Sequence, residues 1–266
     1  VAQTLKKAID DGIIGEVLSL EYRETLDLVH GKSYFRRWNS RRALSNGLQL
    51  HKSTHHFDKM NFLLGTKAKE VTANGALIAY GANAKHEYSG ENCHSCEHKE
   101  VCPDYFEYDK ELFDSDLYTP DLCIWSEDID IEDSFAASIV FENGVFASYS
   151  LCAHASYEGE VIHVQGTKGR LVATQLVYRS DPKDVHNQKA VSEESLKVYR
   201  FGSAVPEDIE IQRLSGSHGG ADKMLFAELF ALPPAPGLPT LQDGINAVLT
   251  GTAIVESMQQ GCKIQV

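Results

Sequence analysis

One short segment combines two histidines and an aspartate at spacings suited to acid–base chemistry. It reads His51-Lys52-Ser53-Thr54-His55-His56-Phe57-Asp58. In a helix, His51, His55 and Asp58 would lie at i, i+4 and i+7 on one face. Imidazole titrates at about pH 6.5, so His55 could accept a proton at neutral pH, with His51 or Asp58 orienting its ring.

Two other interpretations of this segment stay open. The His-x3-His-x2-Asp spacing could bind a divalent metal and serve a metal-dependent hydrolase, although it lacks the Glu of the His-Glu-x-x-His protease motif. The same residues could form an ordinary solvated helix face. His56 would point about 100° away from His55 around a helix, so little catalytic role is expected for it.

Four cysteines cluster in one acidic, aperiodic stretch. Four thiolates at such spacings can hold a zinc ion tetrahedrally or an iron–sulfur cluster, and they would order a loop that otherwise lacks a core. Disulfides or free thiols are the alternatives. We expect a structural metal, with zinc ahead of an iron–sulfur cluster. The predicted ligands are Cys93, Cys96, Cys102 and Cys123, with His94 and His98 as substitutes for one Cys.

Two further segments carry candidate substrate-binding residues. Tyr34-Phe35-Arg36-Arg37-Trp38 places aromatic faces beside arginines, which suits a sugar ring and its hydroxyls; a loop packed by its own aromatics would look the same. Ser217-His218-Gly219-Gly220-x-Asp222 stands at a predicted helix start, where glycine lets a ligand approach the backbone. Helix capping by Ser217 is the alternative there. The candidates are Tyr34, Arg37, Trp38, His218 and Asp222.

The elements around these residues predict an α+β fold. Helical patterns cover about 4–11, 54–64, 222–230 and 243–260, and the stretch 32–46 resembles a loop. Strand-like alternation covers 17–25, 135–141, 145–151, 161–165, 170–174, 196–201 and 209–214, with turns at 143–144 and 166–169. Residues 85–125 form a Cys-rich insertion. We therefore expect one large, predominantly antiparallel open sheet with helices packed on one face.

Composition excludes some function classes. The formal net charge of -13 argues against a nucleic-acid partner, because phosphate binding rests on Lys and Arg. No apolar stretch is long enough to span a membrane. No Gly-x-Gly-x-x-Gly follows a strand, so no dinucleotide-binding site is expected in this chain. The chain begins at Val1 without a signal-peptide pattern; a cytoplasmic location is expected, although such a start cannot test for a targeting signal.

Taken in order, four segments resemble the C-terminal half of Gfo/Idh/MocA oxidoreductases. Leu5-x3-Ile9-x2-Gly12-x2-Gly15-Glu16-Val17 resembles the junction that follows the family's Rossmann domain. Residues 47–58, continuing to Leu64-Gly65, resemble the Gly-rich catalytic helix, whose core ends in His-x-x-Asp. Residues 161–171 resemble a sheet hairpin, and 244–261 the closing helix. The resemblance covers nearly the whole chain.

This resemblance implies that residues 1–266 are a substrate-binding and oligomerisation domain. The fold implied is that of the C-terminal domain of glucose-fructose oxidoreductase and dihydrodipicolinate reductase. The NAD- or NADP-binding Rossmann domain would lie outside this chain. By the same resemblance His55 matches the catalytic histidine. His51 stands where the family often has Asp, and the family's Glu-Lys-Pro lysine lies in the other half, with Lys52 as a nearby candidate.

The expected function follows from the resemblance. In the intact parent, hydride would pass from a CH–OH group of a sugar, glycoside or polyol to the nicotinamide, with His55 as general base. NAD-dependent glycoside cleavage would begin with the same oxidation. This chain alone would be inactive, and it would form homo-oligomers through the open sheet. The competing hypotheses are a non-enzymatic sugar-binding or assembly module, and the metal-dependent hydrolase named above.

Overall fold

The computed structural model describes residues 1–84, 87–108, 119–180, 189–211, 220–231 and 238–266. The chain opens with α1 (Ala2–Asp10), β1 (Val17–Asp27), α2 (Leu28–Phe35), a 3-10 turn (Trp38–Ser40), α3 (Arg42–Ser45), α4 (Leu48–His51) and α5 (Thr54–Leu64). It continues with β2 (Ala68–Ala76), a 3-10 turn (Gly81–Ala84), β3 (Ser134–Phe141), β4 (Phe146–Ala155), β5 (Glu158–Gly166), β6 (Gly169–Tyr178) and β7 (Val191–Arg200). It ends with β8 (Glu207–Asp208), α6 (Ala221–Leu229), α7 (Leu241–Gln260) and β9 (Ile264–Gln265).

The described strands form one nine-stranded sheet in the order β8-β7-β6-β5-β1-β4-β3-β2-β9. Every pairing among them is antiparallel except β1 with β4, which is parallel. The fold-class prediction is therefore confirmed: this is an α+β protein built on a large, mostly antiparallel open sheet.

Alternation along the strands gives the sheet one apolar face, and the helices cover that face. On β1, Leu20 and Tyr22 are buried while Glu21 between them is exposed. From α5, Phe57 packs edge-to-face on Tyr149 of β4, with ring centroids 5.1 Å apart. Helix α7 packs on β2, α4 and α5. The sheet thus forms the floor beneath the segment that carries the candidate histidines.

Several local signals in the sequence are confirmed. The helix predicted over 243–260 is present as α7, and Thr240 and Asp243 form a capping box at its start. Gly65 ends α5 in the left-handed conformation, with φ 62°. Gly144 has φ 86° in the tight turn between β3 and β4. These interactions are local, so the sequence alone can specify them.

Other predictions were wrong. The stretch 32–46 is mostly short helices, because the Asp27 side chain accepts hydrogen bonds from the Val29 and His30 amides and starts α2. Strand β2 was missed. The strand predicted over 209–214 is not found at 209–211, which follow the two-residue strand β8, and residues 212–219 lie outside the described part of the chain.

The Cys-rich insertion is described over 87–108 and 119–125. In these ranges it consists mainly of turns, with one β-bridge between Asn92 and Leu122. Across the described chain, no helix combines the length and apolarity that crossing a membrane requires.

Candidate active site

The predicted acid–base segment is not one continuous helix. Helix α4 ends at His51 and α5 begins at Thr54. At the break the Ser53 amide donates to the Leu48 carbonyl, five residues back, at 2.9 Å. This local widening explains why the expected single helical face is divided between two short helices.

His51, His55 and Asp58 nevertheless lie close enough to influence one another. Both histidines are exposed and Asp58 is half-buried. Partial burial, followed by the neighbouring His55, lowers the pKa of His51. Burial and Asp243 raise the pKa of the Asp58 carboxyl, while His55 acts in the opposite direction. The structure therefore brings the three predicted residues to one surface region.

Aromatic rings surround His51. Trp38 contacts the His51 ring edge-to-face with centroids 5.2 Å apart, and Tyr34 does so at 5.6 Å. The His30 ring stacks on Tyr34, with ring centroids 5.3 Å apart. Two of the predicted sugar-contacting residues thus adjoin a predicted catalytic residue, although they come from α2 and the following turn.

Helix α2 holds Tyr34 in place by a close approach to the sheet. A Cβ at Gly31 would lie 1.9 Å from the Ala153 carbonyl oxygen of β4, so only glycine fits there. The ring of Phe35 stacks on Tyr80 at 4.1 Å and anchors the helix end.

The other three predicted substrate-binding residues are Arg37, Asp222 and His218. Arg37 lies between Tyr34 and Trp38 in the chain and is half-buried. Asp222 lies in the first turn of α6, whose residues are all at least partly exposed. His218 falls outside the described residues. The roles of these three stay predictions.

Behind the exposed histidines, a buried polar network joins the α4–α5 break to the sheet. Glu24 Oε1 lies 3.6 Å from Lys52 Nζ and 3.6 Å from His56 Nε2. His56 Nδ1 lies 2.8 Å from the Tyr149 hydroxyl, which donates to Ser53 Oγ at 2.9 Å. Burial raises the pKa of Glu24 to about 7, with Lys52 opposing this. His56 is therefore a core residue and not the bystander expected from its helical position.

A second charged pair extends the network. Lys59 Nζ donates to both carboxylate oxygens of Glu160 at 2.7 Å, and the Tyr22 hydroxyl donates to the same carboxylate. The rings of Tyr22, His56 and Tyr149 pack together as a triangle, with the Tyr22 centroid 5.2 Å from His56 and 5.6 Å from Tyr149.

The sequence carried a signal for this network that our prediction missed. Leu20, Tyr22 and Glu24 share the core-facing side of β1, and Glu160 shares that side of β5 with Ile162. A carboxylate at an otherwise apolar alternating position must find a partner or a proton, since an isolated buried charge is unfavourable.

The four clustered cysteines border one small cavity, with a volume of about 20 Å³. The β-bridge near Asn92 brings Cys93 beside Cys123, Arg36 Nη1 donates to Cys93 Sγ at 3.1 Å, and the Gly90 amide donates to Cys123 Sγ at 3.5 Å. All are free thiols.

The predicted zinc or iron–sulfur site is not supported. Within the described residues, no three His, Cys, Asp or Glu side chains are arranged to hold a metal ion. Cys93, Cys96, Cys102 and Cys123 border a shared cavity without forming such a group, and the sulfurs of Cys93 and Cys123 accept hydrogen bonds from protein donors. The same finding removes the support for a hydrolytic metal at His51, His55 and Asp58.

Comparison of this chain with known proteins identifies its family. A model of the C-terminal alpha/beta domain of the Gfo/Idh/MocA oxidoreductases matches residues 6–266. The chain belongs to the Gfo/Idh/MocA oxidoreductase family. It is 37% identical over 246 residues to YteT of Bacillus subtilis (strain 168), a protein named provisionally as an oxidoreductase. That match covers 85% of this chain and 56% of YteT.

Solved Gfo/Idh/MocA-like structures share the fold at low identity. Aldose-aldose oxidoreductase from Caulobacter crescentus, complexed with glycerol, matches 100% of this chain at TM-score 0.61 and 14% identity. Levoglucosan dehydrogenase in complex with NADH and levoglucosan matches 99% at TM-score 0.59 and 18% identity. The matches cover 60% and 62% of those chains. This chain therefore spans somewhat more than half the length of these relatives.

Proposed function

We propose that this chain is the substrate-binding part of an NAD- or NADP-dependent oxidoreductase acting on a CH–OH group of a sugar, glycoside or polyol. The observation that carries the proposal is an exposed His55 beside His51, which Tyr34 and Trp38 border. Sugar-directed family members, among them an NADH-bound dehydrogenase, support the substrate and cofactor class.

In this proposal His55 takes the substrate hydroxyl proton as general base. Proton removal and hydride departure from the same CH–OH group leave a carbonyl, and the bound nicotinamide supplies the hydride acceptor. His51 and Asp58 orient the His55 ring and set the local charge around it. Tyr34 and Trp38 offer ring faces or edges against which the apolar face of a sugar can pack.

The proposal assigns residues 1–266 to the substrate and assembly domain. A Gly-x-Gly-x-x-Gly turn is absent from this sequence, so the cofactor would be held elsewhere in the parent and this chain alone would be inactive. The uncovered sheet face, where Glu21, Arg23 and Ser148 are exposed, would form the contact between copies. Free cysteines suit the reducing cytoplasm proposed as its location.

The test is a nicotinamide reduction assay of the full-length parent against a panel of sugars, glycosides and polyols, with NAD and NADP separately. We expect turnover with at least one sugar-class substrate. Binding of a sugar with no oxidation under any condition would favour the non-enzymatic sugar-binding module instead.

A further inference from the structure

Lys52 sits where the α4–α5 break changes the course of the chain. Its backbone angles are φ -113° and ψ -48°, and its amide donates to Leu48 while the next amide, of Ser53, donates to the same carbonyl. The side chain points inward to Glu24 yet keeps 18% of its surface exposed. It thus connects the buried network with the surface that carries His51 and His55.

Glu24 is the shared partner at the inner end. Its carboxyl lies 3.6 Å from both Lys52 Nζ and His56 Nε2, and only 5% of the residue is exposed. Lys59 is the other cation acting on it, and Glu158 and Glu160 are the acids. Tyr22 and Tyr149 complete the charged and titratable surroundings.

The contact between His56 and Tyr149 assigns the ring proton of His56 to Nδ1. With the Tyr149 hydroxyl donating its one hydrogen to Ser53 Oγ, the 2.8 Å contact to His56 Nδ1 is made by Nδ1–H as donor. A neutral ring then presents the Nε2 lone pair to Glu24. Burial lowers the pKa of His56 and keeps this ring neutral. At 3.6 Å the Glu24 carboxyl faces this lone pair just beyond hydrogen-bond distance, and its burial favours the protonated, neutral form.

We propose that Lys52 contacts the substrate as a hydrogen-bond donor and that Glu24, paired with His56, is the residue that positions it. With Glu24 neutral, the Lys52 ammonium is available to a substrate oxygen beside His55. Ionisation of Glu24 converts the contact into an ion pair and draws the ammonium inward. This inference rests on the proposed function for its substrate, but the positioning can be measured without turnover.

The positioning is tested on this chain by NMR. Ring ¹⁵N shifts should show the Nδ1–H tautomer of His56, and ¹³C-methylated Lys52 should report a titration step near pH 7 as Glu24 ionises. Glu24→Gln should abolish that step and retain the tautomer, because the Nδ1 contact to Tyr149 does not involve residue 24. Glu24→Asp should keep a titration step in the Lys52 signal, with its midpoint at a different pH. An Nε2–H tautomer, or a Lys52 signal unaffected by both substitutions, would overturn the proposal.

The substrate contact is tested in the parent. Lys52→Met should lower kcat/KM about 10- to 100-fold, as expected for losing a charged hydrogen-bond donor. The exposed Lys67→Met serves as the control. In Glu24→Gln, the rise in KM expected above pH 7 should disappear while kcat changes little. Equal kcat/KM in the two Lys variants refutes the contact. Absence of all turnover refutes the proposed function, and the NMR result still decides the positioning.

Discussion

Replacing Glu24 by glutamine should make the stability of this protein less dependent on pH. The carboxyl is buried on the core-facing side of β1, 3.6 Å from Lys52 and from His56. Burial raises the pKa of Glu24 to about 7, against 4.5 for an unperturbed glutamate. The folded state therefore binds this proton more tightly than the unfolded state does.

The sign and size follow from linkage. A raised folded-state pKa gives stability that is fully present below the unfolded pKa of 4.5 and is lost as pH rises through about 7. At about 1.4 kcal/mol per pKa unit, the full contribution of Glu24 to the free energy of unfolding is about 3 kcal/mol. Between pH 5 and pH 8 the free energy of unfolding of the wild-type protein should fall by about 2.5 kcal/mol through this group, and the Gln variant should not show this fall.

Urea denaturation of both proteins at pH 5 and pH 8 measures this difference. His56 titrates in both proteins, so its own contribution largely cancels. Glu21→Gln is the matched control, because Glu21 lies on the same strand and faces outward, with 68% of its side chain exposed. That control should show little change in its pH dependence. If the Glu24→Gln variant follows the wild-type curve at both pH values, the raised pKa and the network built on it are wrong.

Three further predictions concern other parts of the molecule. Gly31→Ala should destabilise the fold by about 2–3 kcal/mol in urea denaturation, since its Cβ would meet the Ala153 carbonyl oxygen; an unchanged midpoint would refute that packing. In thiol titration of the native protein, exposed Cys262 should react first, and Cys93 slowly, because burial raises the pKa of its thiol; the reverse order would contradict the described cavity. Light scattering should find oligomers that Ser148→Glu dissociates on the open face of the sheet, and a monomeric wild type at high micromolar concentration would count against that face as the contact.

The parts of this fold that the sequence could predict are those specified by neighbouring residues. The Thr240 capping box, the turn at Gly144 and the alternation on β3 and β4 all act over a few positions. The parallel pairing of β1 with β4 was not predictable in this way, since it joins residues more than a hundred positions apart.

The candidate site could likewise be predicted only in part. The spacing of His51 and His55 identified the segment, and the structure places both on one surface. The break at Lys52 was missed because it depends on what the side chains meet beneath them: Glu24 and the Tyr149 hydroxyl, both supplied by strands. For the same reason His56, expected to matter little, is buried, and its replacement would test packing as much as catalysis.

The most direct test of the central claim compares two histidine variants of the full-length parent. His55 is exposed beside His51, whereas His163 is half-buried on the opposite face of the sheet, 3.3 Å from Glu21. Loss of a positioned general base typically costs about 10²–10⁴-fold in rate. With a substrate found in the sugar panel, His55→Ala should lower kcat by that order and remain folded, while His163→Ala should leave kcat nearly unchanged. Equal, small effects of the two substitutions would contradict the assignment of His55 as the base.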